Sequence, residues 1–202
     1  MAGADGRFRA AGVTRAVIAA TVVRLAEEGK VDLDEQVEHY LPGALNGARV
    51  TVRRLLRHTS GLPEYFDLVD WTKPARPADH LALALTRPPT GEPGARWAYS
   101  NTNYLVAGMI IERVTGRDFR AVTEDGVLKG LPGTYPKGSG YGLGVYTYPL
   151  SCGPAWMHDG GLPGVRVLSG RDRAGRAATV YVTGTPKDDR RLFAALDAAL
   201  CR

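Results

Sequence analysis

Apolar positions follow two different periods along the chain. From Val13 to Glu28 the period is helical: Val13, Val17, Ala20 and Leu25 mark one stripe, widened by Val22 and Val23. Gly29 then supplies a stop. A loop-rich segment from Val31 to Gly43 leads to a short helix between Val50 and His58, with Thr51 near its N-cap. That helix ends at Thr59-Ser60-Gly61-Leu62-Pro63. Residues 78–86 predict another short apolar helix, and the turn-rich stretch 87–94 leads to Trp97-Ala98-Tyr99-Ser100-Asn101. Residues 102–115 predict a helix with Leu105, Gly108, Met109 and Val114 as its apolar contacts and Gly116 as its stop. Beyond about residue 135 the period shortens. Tyr141 to Tyr146, Val165 to Leu168 and Ala178 to Val182 read as strands, with Gly170 to Gly175 as a hairpin loop, and Asp188 to Leu200 reads as a closing helix. Helices, then an antiparallel meander, then a helix predict an α+β fold: a sheet flanked by helices. We expect one domain over 1–202, helical over about 13–135, with strands and closing helix over about 139–202.

Composition narrows this reading little. The 202 residues are 44% hydrophobic and 23% charged, ordinary for a globular protein. The net charge of +5 raises nucleic-acid binding. However, the basic residues fall in small groups (Arg53, Arg54, Arg57; Arg171, Arg173, Arg176) without interleaved aromatics, so a solvated basic surface is expected and no nucleic-acid partner. No stretch approaches 18 apolar residues, so no transmembrane segment is expected. The start, Met1 to Arg7, lacks the basic and apolar regions of a secretory signal, which leaves a cytosolic chain or an exported one whose signal lies upstream. The histidines at 39, 58, 80 and 158 have no metal-ligand spacing, and neither metal nor cofactor is expected. Cys152 and Cys201 are too far apart for a CxxC motif; free thiols and a disulfide both remain open.

Several segments carry more specific information. Arg7-Phe8-Arg9-Ala10 leads into Val13-Thr14, and Glu28 to Asp34 and Leu41-Pro42 follow. Next come the blocks Thr51 to Pro63 and Pro93 to Tyr104, and later Tyr141 to Gly144 ahead of His158 to Gly164. Together they resemble class C-type serine β-lactamases and the related penicillin-binding-protein-like D-alanyl-D-alanine carboxypeptidases, nearly continuously over 7–116 and again over 139–185. The resemblance implies the β-lactamase/transpeptidase-like fold and acyl-serine hydrolysis of a β-lactam or D-Ala-D-Ala-type amide. It implies three motifs. Tyr99-Ser100-Asn101 matches Tyr-x-Asn, in which Tyr carries a proton and Asn positions the Lys and the substrate amide. His158-Asp159-Gly160 matches the Lys/His-x-Gly strand motif that binds substrate. Without the family context, the first would be a turn tyrosine with a hydrogen-bonded Asn and the second a structural His before a glycine-rich turn. The third motif, Ser-x-x-Lys, fails: Gly12 stands at the nucleophile position and Arg15 at the Lys. Glycine has no nucleophile, and a guanidinium does not deprotonate to act as a base.

Impaired acylation is therefore expected, with Tyr99, Asn101 and His158 keeping a cleft for a small-molecule or peptidoglycan-type peptide ligand. The alternatives are an active hydrolase using an unexpected nucleophile, and a non-catalytic module or truncated remnant. Ser60 looks structural, Ser100 is the middle of its motif, and Thr14 points off the face set by positions 12 and 15. Relative to the family, the segment before Gly12 and the interval 102–157 are short, implying a reduced helical lobe and a sheet lacking N-terminal strands. Exported relatives place cysteines where Cys152 and Cys201 stand, which implies a disulfide and an exported location.

Overall fold

The computed structural model describes residues 10–70, 72–73, 75–123, 125, 144–184, 186 and 188–201. The Arg7 to Arg9 lead-in, Ser139 and positions 141–143 of the strand expected at Tyr141 to Tyr146 lie outside the described residues. Contacts divide the chain into two compact units. A sheet unit takes its described residues from Met1–Ala16 and Val145–Arg202, and a helical unit takes its own from Val17–Gly133 and Gly142–Gly144.

The helical unit holds most of α1 (Thr14–Glu27), then α2 (Val37–Tyr40), α3 (Val52–Leu56), α4 (Pro77–Ala84), α5 (Asn101–Thr115) and α6 (Phe119–Thr123). Thr51 caps α3 by accepting from the Arg54 amide. Helix α5 is the centre of the core and packs against α2, α3, α4 and α6. Its buried apolar face is Val106, Ala107, Ile110 and Ile111; of the expected contacts Gly108 is buried, while Leu105, Met109 and Val114 are half-buried and pack at the edge of the core. Both sets recur at helical spacing, and only the neighbours choose between them. In α1 the expected Val22 and Leu25 are buried, joined by Ile18 and Ala19 in place of Val17 and Ala20. Each such aliphatic side chain contributes about 1.5–3 kcal/mol when fully buried.

The sheet unit is a four-stranded antiparallel meander in the order β1 (Tyr146–Leu150), β2 (Gly153–Leu162), β3 (Val165–Arg171), β4 (Ala177–Thr183). Ala155, Met157 and Leu168 point to one face, and α7 (Arg190–Cys201) covers it with Leu192, Leu196 and Leu200 at i+4 spacing. A disulfide joins Cys152, at the β1–β2 turn, to Cys201 at the end of α7, as the resemblance implied. Helices and an antiparallel sheet confirm the α+β class. Among the described residues, no helix is long and apolar enough to cross a membrane.

Candidate active site

In the helical unit, the turn that follows α3 packs against the Tyr-x-Asn motif at the start of α5. His58 takes a left-handed backbone (φ 55°) and is fully buried. Its Nδ1 accepts hydrogen bonds from the Ser100 amide (3.2 Å) and from Asn103 Nδ2 (3.0 Å). The Tyr99 ring stacks on the imidazole at 4.8 Å. Ser100 caps α5, accepting from the Thr102 amide and donating to the Pro63 carbonyl. This cap fixes Asn101 as the first helical residue, two positions after the exposed Tyr99. Glu64 completes the arrangement. Its Oε2 accepts from both the backbone amide and the side-chain Nδ2 of Asn101, each at 2.8 Å, while its Oε1 accepts from the Tyr65 and Phe66 amides. With Nδ2 committed to Glu64, Asn101 Oδ1 faces the Tyr99 hydroxyl, which donates to it at 3.4 Å. Tyr99 and Asn101 are thus brought together, as the motif predicts. Glu64, His58 and Asn103 hold the motif in place, and none of the three stands out in the sequence as a site residue.

The sheet unit carries the other two positions. A 3-10 turn, Ala11–Val13, precedes α1 and places Gly12, buried, beside β2. His158-Asp159-Gly160 lies inside β2 rather than ahead of a turn. His158 is 4% exposed, and its Nδ1 donates to the Asp159 carbonyl at 2.6 Å. A carbonyl only accepts, so Nδ1 carries the proton and Nε2 presents a lone pair in the neutral ring. Tyr146 on β1 donates to Asp159 Oδ1 at 3.0 Å. The imidazole titrates below its ordinary value near 6.5. Burial is the main cause and the nearby Arg15 charge adds to it, against the opposing pull of the hydrogen bond to the Asp159 backbone and of the Asp159 carboxylate.

This shift has a sign that can be tested. Below about pH 6.5 the unfolded chain binds a proton at residue 158 that the folded chain resists. The contribution of neutral His158 to stability is therefore present above about pH 6.5 and is lost as the pH falls through and below it. Thermal unfolding between about pH 8 and pH 5 is expected to show a steeper acid-side decline for the parent than for His158→Asn. Parallel curves would refute the assignment.

The described serines are each engaged in hydrogen bonds away from position 12. Ser60 is buried, donates to Asn103 Oδ1 and accepts from the Leu62 amide. Ser100 is the α5 cap described above. Ser151 binds Asp197, and Ser169 pairs with Thr179. Thr14 is exposed. No group of three His, Cys, Asp or Glu suited to a metal ion occurs among the described residues.

A family model described as Beta-lactamase matches residues 2–135. Over 118 residues the chain is 33% identical to Penicillin-binding protein 4* of Bacillus subtilis (strain 168), a match that takes in 55% of this chain and 26% of that protein. Its fold is similar to that of a D-stereospecific amidohydrolase from Streptomyces sp. (TM-score 0.82, 24% identity, 96% of this chain and 86% of that one). It is also similar to that of the D-amino acid amidase from Ochrobactrum anthropi SV3 complexed with D-phenylalanine (TM-score 0.79, 21% identity, 95% and 92%). At these identities the structural likeness is one of fold. The chain spans less than a third of the length of the curated relatives it matches.

Proposed function

This chain belongs to the Beta-lactamase family, and from that premise we propose that it is a non-acylating member that holds a ligand of the family's kind without cleaving it. The observation that carries the reading is the joint replacement at Gly12 and Arg15 in an otherwise well-matched frame. Losing a serine nucleophile costs several orders of magnitude in acylation rate, and an arginine cannot recover the role of base. The ligand-facing roles that the resemblance implies fall on Tyr99 and Asn101 in the helical unit and on His158, Asp159 and Gly160 in the sheet unit. The ordered Glu64–Asn101–Tyr99 chain and the neutral, Nδ1-protonated His158 support their retention. The ligand class is a small molecule or peptide ending in a D-amino acid or its β-lactam equivalent. An oxidising, extracytoplasmic setting suits the Cys152–Cys201 disulfide.

The test is intact-mass analysis after incubation with a fluorescent penicillin, run beside thermal shifts with benzylpenicillin and D-alanyl-D-alanine. No covalent adduct is expected, together with a rise in Tm at saturating ligand. A stoichiometric adduct would overturn the non-acylating reading. No shift with either ligand would overturn the ligand-holding reading in favour of a remnant without a binding role. Nothing in the setting of Ser60, Ser100, Ser151 or Ser169 favours the reading of an active hydrolase with a different nucleophile.

A further inference from the structure

The loss of the hydroxyl at position 12 is matched by a change in the space around it. A Cβ built on Gly12 would meet two groups inside van der Waals contact: the guanidinium Nη1 of Arg15 and the backbone carbonyl oxygen of Asp159, the latter at 2.5 Å. The Gly160 Cα lies 3.1 Å from the same point. The contact is reciprocal. A Cβ on Gly160 would collide with the Gly12 amide nitrogen, and would lie 2.8 Å from the Ala10 carbonyl oxygen and 3.0 Å from Ala11 Cβ. The turn that brings this backbone so near carries Ala11 at a positive φ of 46°, a conformation that costs a non-glycine residue free energy. These obstacles differ in kind. The guanidinium ends a flexible side chain and can swing away. The Asp159 carbonyl belongs to backbone that is paired with β3 at this point, Asp159 opposite Leu168 and Gly160 opposite Val167, and the Asp159 side chain is held by Tyr146.

We propose that the β2 backbone at Asp159 and Gly160 occupies the nucleophile's space, so that position 12 admits no side chain and restoring serine and lysine does not restore an acylating site. The inference rests on the reading of a non-acylating family member and extends it: the obstacle is steric as well as chemical. It separates the two replaced residues. Arg15 is a removable occupant, and β2 is a fixed one.

Four variants test it by Tm and by fluorescent-penicillin labelling. Gly12→Ala and Gly12→Ser are expected to lose roughly 4–10 °C alike, because the added Cβ and not the hydroxyl is at fault. Arg15→Ala combined with Gly12→Ala is expected to keep most of that loss. Gly12→Ser with Arg15→Lys is expected to stay unlabelled. Gly108→Ala is the control: its added methyl meets nothing nearer than 3.6 Å, and its Tm should hold or rise. If Gly12→Ser does not fold, Gly160→Ala reads the same contact from the other side and should show a loss of the same size. A Gly12→Ala protein as stable as the parent, or an adduct on the Gly12→Ser, Arg15→Lys protein, overturns the proposal. Labelling of the parent chain would instead overturn the non-acylating reading and leave the Tm comparison standing.

Discussion

Replacing Gly61 by alanine is expected to lower the unfolding free energy of the helical unit by about 2–5 kcal/mol. Two costs add. The backbone there is left-handed (φ 77°), which disfavours any residue with a Cβ. The added Cβ also falls inside contact with the Gly91 carbonyl oxygen, whose carbon lies 3.1 Å away. Neither partner is free to yield. The Gly61 carbonyl accepts from the Thr90 amide at 2.9 Å, tying the two loops in register. Gly116→Ala separates the two costs, since Gly116 has a similar φ of 67° but open space around its missing Cβ. Urea denaturation should show a loss of about 1–2 kcal/mol for Gly116→Ala and a clearly larger one for Gly61→Ala. Equal losses would remove the steric part of the argument. The effect reaches the candidate site, because Gly61 lies between the His58–Ser60 turn and Glu64, which together hold Tyr99 and Asn101.

Removing the disulfide is expected to cost the sheet unit about as much. Cys152 and Cys201 are 49 residues apart, and closing a loop of that length in the unfolded chain is worth about 4 kcal/mol in the chain-entropy account. Without it, α7 must hold its place over Ala155, Met157 and Leu168 by apolar packing and by noncovalent bonds such as those from Ser151 to Asp197. The variant with both cysteines changed to alanine should unfold roughly 8–15 °C below the parent. A drop of less than about 2 °C would show that the noncovalent anchors already suffice.

The sequence showed the elements more clearly than their faces. Thr51 caps the helix it was expected to open, and the helix expected over 102–115 starts one residue earlier, after the Ser100 cap. Which side of α5 is buried could not be read, because Leu105–Met109 and Val106–Ile110 have equal periodicity and only α3 and α4 distinguish them. The motif residues Tyr99, Asn101 and His158 stood out by spacing and resemblance. Glu64 did not, because a lone carboxylate after a proline carries no signal until the fold brings it to Asn101. The absence of a nucleophile at Gly12 was legible in one letter. That a strand backbone lies against that letter was not, since the contact links positions about 150 residues apart in the chain.

The buried face-to-face approach of Gly12 and Gly160 also bears on descent. In a chain with this contact, the first mutation that places a hydroxyl at position 12 is expected to cost stability before any catalytic benefit can accrue. Arg15 would still have to change, and β2 would still have to withdraw. Acquiring that chemistry would thus need several steps, of which the one at position 12 is costly when taken first, so the glycine acts as a ratchet. If β2 fills that space as proposed, a chain carrying this contact is held away from acyl-serine chemistry by sterics even when the codon is a single base from serine.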